Sequence, residues 1–154
     1  MAKYAFNVEL SIKEFDGGDP LAFKMDGHRF DGALRTLKWS SDQTYTVKVV
    51  TKPATEVKSV NVNGQDIELS KEKLGEFKGQ WKTGGAETSK RGTRTPLVFV
   101  ITFSPEGQLR AEFQSKIYSK NDSHAVWGHK MNAVEFKCSA ADDGVVHIVD
   151  ENFK

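Results

Sequence analysis

The stretch LVFVITFSPEGQLRAEFQSKI, residues 97–117, decides the fold. Leu97, Phe99, Ile101 and Phe103 alternate with Val98 and Val100, so both faces of the first run are apolar. A strand with two apolar faces should be central in its sheet. Ser104-Pro105-Glu106-Gly107 supplies turn residues, and Leu109, Ala111, Phe113, Ser115 and Ile117 return with polar residues between them. Strand, short turn and strand make an antiparallel hairpin.

The same period of two runs outward in both directions. Tyr4, Phe6, Val8, Leu10 and Ile12 share one face of the first run, and Ala5, Asn7, Glu9, Ser11 and Lys13 the other. Leu21, Phe23 and Met25 alternate up to a turn at Asp26-Gly27. Leu37 and Trp39 mark a short strand, and Tyr45, Val47 and Val49 mark a longer one that Pro53 ends. Val60 and Val62 lead into Asn63-Gly64, the strongest short hairpin signal, and Ile67 and Leu69 come back. Residues 70–74 predict one helical turn, capped by Ser70 and stopped by Gly75. Phe77, Gly79 and Trp81 resume the alternation before a Gly-, Thr- and Lys/Arg-rich loop over residues 82–95. A second long loop spans residues 119–132. Val134, Phe136 and Cys138 then form a strand, Asp142-Asp143-Gly144 turns, and Val145, His147 and Val149 form the last one.

This pattern predicts one all-β domain over residues 1–154. It is an antiparallel β-sandwich or flattened β-barrel of about nine to ten strands, with at most one short helix. The 10 Phe, 3 Trp and 3 Tyr suit strands and a large core. The 22 Lys and Arg balance the 21 Asp and Glu to a net +1, which argues against general nucleic-acid binding. The single cysteine, Cys138, excludes an internal disulfide and fits a reducing compartment. The first residues contain no apolar run of signal-peptide length, Ala2 stands where myristoylation needs glycine, and the last residues hold no prenylation cysteine. The expectation is a soluble, cytoplasmic, monomeric protein.

Catalytic signals are weak. His124 and His129 lie in one loop with Asp122 as the obvious neighbour, too few ligands for a zinc site. His147 sits on a strand between valines, and Cys138 alternates with Val134 and Phe136 as a small buried residue. Nucleophile elbow, phosphate loop and dinucleotide fingerprint are all missing. The expectation is a protein that is not an enzyme and uses neither metal nor cofactor.

Two features point to binding. In the basic loop, Lys82, Lys90, Arg91 and Arg94 against Glu87 leave a local charge of +3, suited to acidic peptides, phosphates or anionic headgroups. The inward aromatic residues could also line an apolar cavity between splayed sheets. The candidates are Trp39, Tyr45, Trp81, Phe99, Ile101, Phe103, Phe113 and Trp127.

Several segments, in order, resemble the cannabinoid receptor-interacting protein family. They are Asp26-Gly27-His28-Arg29-Phe30, Arg35-Thr36-Leu37-Lys38, Tyr45-Thr46-Val47-Lys48-Val49 and Lys52-Pro53-Ala54-Thr55. Lys90-x-Gly92-x-Arg94-x-Pro96, Lys116-Ile117-Tyr118, His124-Ala125-Val126-Trp127-Gly128 and Glu135-Phe136-Lys137-Cys138 continue the likeness. The resemblance implies a non-catalytic adaptor that binds the cytoplasmic C-terminal tail of a G-protein-coupled receptor, the type 1 cannabinoid receptor or one like it. It would modulate that receptor's signalling and trafficking at the inner face of the plasma membrane. The resemblance also implies a fold similar to the Rho GDP-dissociation inhibitors, lipid carriers. This leaves an alternative role as a carrier of acylated or prenylated signalling proteins. A short segment before Tyr4, Val126 where the family has a polar residue, a shorter loop before His124, and a divergent tail after Cys138 mark a distant, invertebrate-type member.

Overall fold

The computed structural model describes residues 4–15, 18, 20–25, 35–41, 43–83, 95–104, 107–118, 129–140 and 144–153. These form thirteen strands: β1 (Tyr4–Glu14), β2 (Leu21–Met25), β3 (Arg35–Ser40), β4 (Thr44–Lys52), β5 (Glu56–Val62), β6 (Gln65–Ile67) and β7 (Leu69–Lys73), then β8 (Glu76–Lys82), β9 (Thr95–Ser104), β10 (Gly107–Tyr118), β11 (His129–Met131), β12 (Val134–Ala140) and β13 (Val145–Phe153). The main hydrogen-bonded path carries ten of them, in the order β11-β2-β3-β10-β13-β12-β1-β4-β8-β7. β9 branches from β10, β5 from β9 and β6 from β5.

The path folds into two facing layers. One is β7-β8-β4-β1-β12-β13, and the other is β11-β2-β3-β10-β9-β5-β6. Ring contacts between the layers fix the facing: Phe6 on β1 meets Phe103 on β9 at 5.3 Å, and Phe113 on β10 meets Phe136 on β12 at 6.2 Å. The layers join where β10 and β13 run parallel for two residue pairs, Gln108↔Val145 and Leu109↔Val146. A flattened barrel describes the result as well as a sandwich does.

Alternation places the core as expected in most strands; in β13 the alternating Val145, His147 and Val149 face outward and Val146 is the buried residue. β4 reads intermediate-buried throughout its length until Lys52, with Tyr45, Val47 and Val49 inside. The hairpin that decided the fold forms as read: β9 and β10 pair antiparallel from Gly107↔Phe103 to Ser115↔Thr95. β9 also pairs with β5, which makes it an interior strand. Asn63 and Gly64 take positive φ of 52° and 91° at the β5–β6 turn, the conformation a tight hairpin demands. Each fully buried aromatic or aliphatic side chain contributes about 1.5–3 kcal/mol. Trp39, Phe99, Ile101 and Phe136 are all wholly inside.

Three features depart from the sequence reading. Residues 70–74 do not form a helical turn. Residues 69–73 are β7, paired with β8 from Leu69↔Gly79 to Lys73↔Glu76. The open edge of β8 supplies more hydrogen bonds than one helical turn could close, and Gly75, at φ 76°, turns the hairpin instead of ending a helix. The strands among the described residues number thirteen rather than nine or ten, because three-residue strands such as β6 and β11 are too short to show a period. Finally, β10 pairs parallel with β3 as well as with β13, which no local pattern announces.

Candidate functional site

The connection between β6 and β7 shapes the site. β5 and β6 lie in one layer and β7 and β8 in the other, so the chain crosses the edge of the sandwich between Ile67 and Leu69. It passes tightly over β8. A Cβ added to Gly79 would lie 2.5 Å from the backbone oxygen of Glu68 and 3.2 Å from side-chain atoms of Ile67 and Leu69. Glycine is therefore required here by close approach rather than by φ. β7 reaches no further along β8 than Gly79, while β4 continues to pair with β8 up to Thr44↔Lys82.

Beyond Gly79 an open groove of about 1080 Å³ follows the end of β8. Thr44 and Thr46 of β4 and Lys78, Gln80 and Lys82 of β8 supply one side. The crossover, with Asp66 and Glu68, and Ser70 and Glu72 of β7 supply the other. Phe15, 53% exposed, stands on the rim. The two sides carry opposite charge, and Lys78 Nζ lies 3.9 Å from Glu72 Oε1 where they meet.

Trp81 borders the groove and also belongs to an aromatic cluster behind it. Trp39 packs edge-on to Tyr45 at 5.0 Å and to Trp81 at 5.2 Å. The cluster's polar atoms are treated unequally. Trp39 Nε1–H donates to Ser115 Oγ at 3.1 Å, and the Tyr45 hydroxyl accepts from the Ser40 backbone N–H at 2.8 Å. Burial pushes the Tyr45 hydroxyl above its ordinary pKa. Trp81 Nε1–H is buried without a partner. A buried donor left unmade costs about 1–3 kcal/mol. Just past β8, Thr83 locks the corner: its hydroxyl donates to the Ser40 carbonyl at 2.6 Å and accepts from the Gln43 N–H at 3.0 Å.

The sequence candidates distribute as follows. Lys82 lies on the groove, and Trp39, Tyr45 and Trp81 gather behind it. Phe99 and Phe113 pack on each other at 5.5 Å and Phe103 packs on Phe6, in other parts of the core from that cluster. Ile101 is fully buried. Phe99, Phe103 and Phe113 are buried as well. Lys90, Arg91, Arg94 and Trp127 lie outside the described residues, as do Asp122 and His124. The acidic side of the groove, Asp66, Glu68 and Glu72, escaped the sequence reading. Its only signal was three acids scattered among apolar and basic residues over 65–73, and its position depends on the crossover.

Two other groups bear on chemistry. Cys138 is buried on β12, and burial pushes its thiol up to about 12. Glu76 accepts from Lys48 Nζ at 2.9 Å and lies 3.5 Å from Lys73 Nζ. The hydrogen bond from Lys48 leads in holding its carboxyl below the ordinary value.

Comparison with known proteins adds the family context. The family model described as CB1 cannabinoid receptor-interacting protein 1 matches residues 2–153, beyond Cys138 where the motif resemblance thins. The human protein "CB1 cannabinoid receptor-interacting protein 1" is 33% identical over 141 residues, covering 86% of this chain and 84% of its own. The proteins of the same description from Bos taurus and Mus musculus give the same identity and coverage.

Proposed function

The chain belongs to the CB1 cannabinoid receptor-interacting protein 1 family, and on that premise we propose that it is a non-catalytic adaptor for the C-terminal tail of a G-protein-coupled receptor of the cannabinoid type. In this reading it works in the cytoplasm as a monomer, reaches the plasma membrane through the receptor, and modulates the receptor's signalling and trafficking. The observation that carries the reading is a family match spanning nearly the whole chain, with relatives named as CB1 cannabinoid receptor-interacting proteins.

The geometry supports a peptide more than a lipid chain as the ligand. The groove beside β8 has polar and charged sides. An acyl chain entering between the layers at Trp39, Phe99, Phe103 and Phe136 would part side chains that are each almost wholly buried. Each methylene it buried would contribute about 0.8 kcal/mol, to be set against the contacts it broke.

Anisotropy titration with a fluorescent receptor-tail peptide, with and without a palmitoyl group, tests the reading. Equal binding of both forms supports a peptide adaptor. Binding of the acylated form alone replaces it with a lipid-cargo carrier.

A further inference from the structure

Among the described residues, one buried side-chain polar atom has no hydrogen-bond partner, Nε1 of Trp81. Buried donors are nearly always paired, so an exception calls for a physical reason. Trp39, packed against the same indole, gives its own N–H to Ser115. The core therefore had the means to satisfy one indole donor of the pair and leaves the one beside the groove unsatisfied.

The groove's chemistry narrows the occupant. Its volume, about 1080 Å³, lies just above the range of small-molecule pockets, roughly 300–1,000 Å³, and it is open to solvent. Lys78 and Lys82 stand on one side, and Asp66, Glu68 and Glu72 on the other. Successive side chains of an extended peptide point to opposite sides. Such a peptide can present acids to one wall and bases to the other, which neither a lipid chain nor a simple anion can do.

We propose that this groove seats an extended segment of the partner tail, with acidic side chains toward Lys78 and Lys82 and basic ones toward Asp66 and Glu68, and that a carbonyl of the segment accepts the Trp81 indole N–H. This rests on the tail-binding reading above and names its seat. Trp81 Nε1 is shielded from solvent in the free protein, so the carbonyl reaches it as the β6 wall moves aside. β6 is three residues long and pairs only with β5 among the described strands.

The test follows the tryptophan indole N–H signals of ¹⁵N-labelled full-length protein, with Trp81→Phe assigning the Trp81 signal. An unlabelled receptor-tail peptide is added while anisotropy with its fluorescent form records binding. The expected result is binding with a downfield shift of the Trp81 indole proton, and an affinity about tenfold lower for Trp81→Phe, the equivalent of one hydrogen bond. The surface double variant Lys78→Glu with Lys82→Glu leaves the core untouched and is expected to weaken an acidic tail further. Binding with the Trp81 signal unmoved and both variants at wild-type affinity overturns this seat while leaving the tail-binding function standing. Absence of any binding overturns both.

Discussion

Gly79→Ala perturbs the wall of the groove at its tightest point. The added methyl would lie 2.5 Å from the Glu68 carbonyl oxygen, and that atom is backbone. Ile67 Cδ1 and Leu69 Cδ2, at 3.2 Å, leave no free direction either. Overpacking of this kind costs about 1–3 kcal/mol. Alanine at a compatible φ returns about 0.4–1 kcal/mol through the unfolded chain. The net expectation is a loss of about 1–2 kcal/mol. For a domain of this length that corresponds to a Tm lower by roughly 2–8 °C. Urea denaturation followed by tryptophan fluorescence measures it, with Gln80→Ala as the control. Gln80 is exposed on the opposite face of the same strand, and its replacement should change stability by no more than about 0.5 kcal/mol. A Gly79→Ala protein as stable as wild type, or more stable, would show that the crossover does not press on β8, and the described groove wall would be wrong.

Other outcomes follow from the same contacts. Glu76, with its folded pKa lowered chiefly by the Lys48 hydrogen bond, stabilises the protein above the ordinary carboxylate pKa, and this contribution fades as pH falls through the folded value. Stability against pH should therefore separate wild type from Glu76→Gln near neutrality, and the two curves should converge in acid. A constant gap would refute the assignment. The Cys138 thiol, buried and raised to about 12, should resist a thiol reagent at pH 8 in the native protein and react fully in urea. Rapid native labelling would contradict its burial. Replacing Lys90, Arg91 and Arg94 together by Ala should weaken tail binding and flatten its salt dependence if the basic loop meets acidic or phosphorylated residues. Unchanged affinity at low salt would remove the loop from recognition.

Much of the architecture was legible because a half-buried strand writes its burial into every second residue. β4, β8 and β12 bury the residues whose alternation marked them, as do β1 from Phe6 to Ile12 and β10 from Leu109 to Ser115. Asn63-Gly64 announced its turn because few other pairs take positive φ at both positions. β7 was misread because Ser70, Lys71, Glu72 and Lys73 are edge residues with no buried face. An exposed charged edge strand and a polar helical turn look alike without the partner strand. The groove was legible only from one side. Trp81 and Lys82 stood out by aromatic character and charge, whereas Asp66 and Glu68 face them only because the chain crosses between layers at that point. The aromatic cavity candidates show the converse. Composition identified them as inward, but only packing could show that Phe99 and Phe103 are tied to other rings in the core.

The central claim is that this chain binds a receptor tail as a peptide. Equilibrium titration of the unacylated tail peptide against the wild-type protein, beside a scrambled peptide of the same composition, tests it most directly. The account predicts saturable binding of the native-order peptide and markedly weaker binding of the scrambled one. Equal binding of the two, or binding of neither, would contradict it.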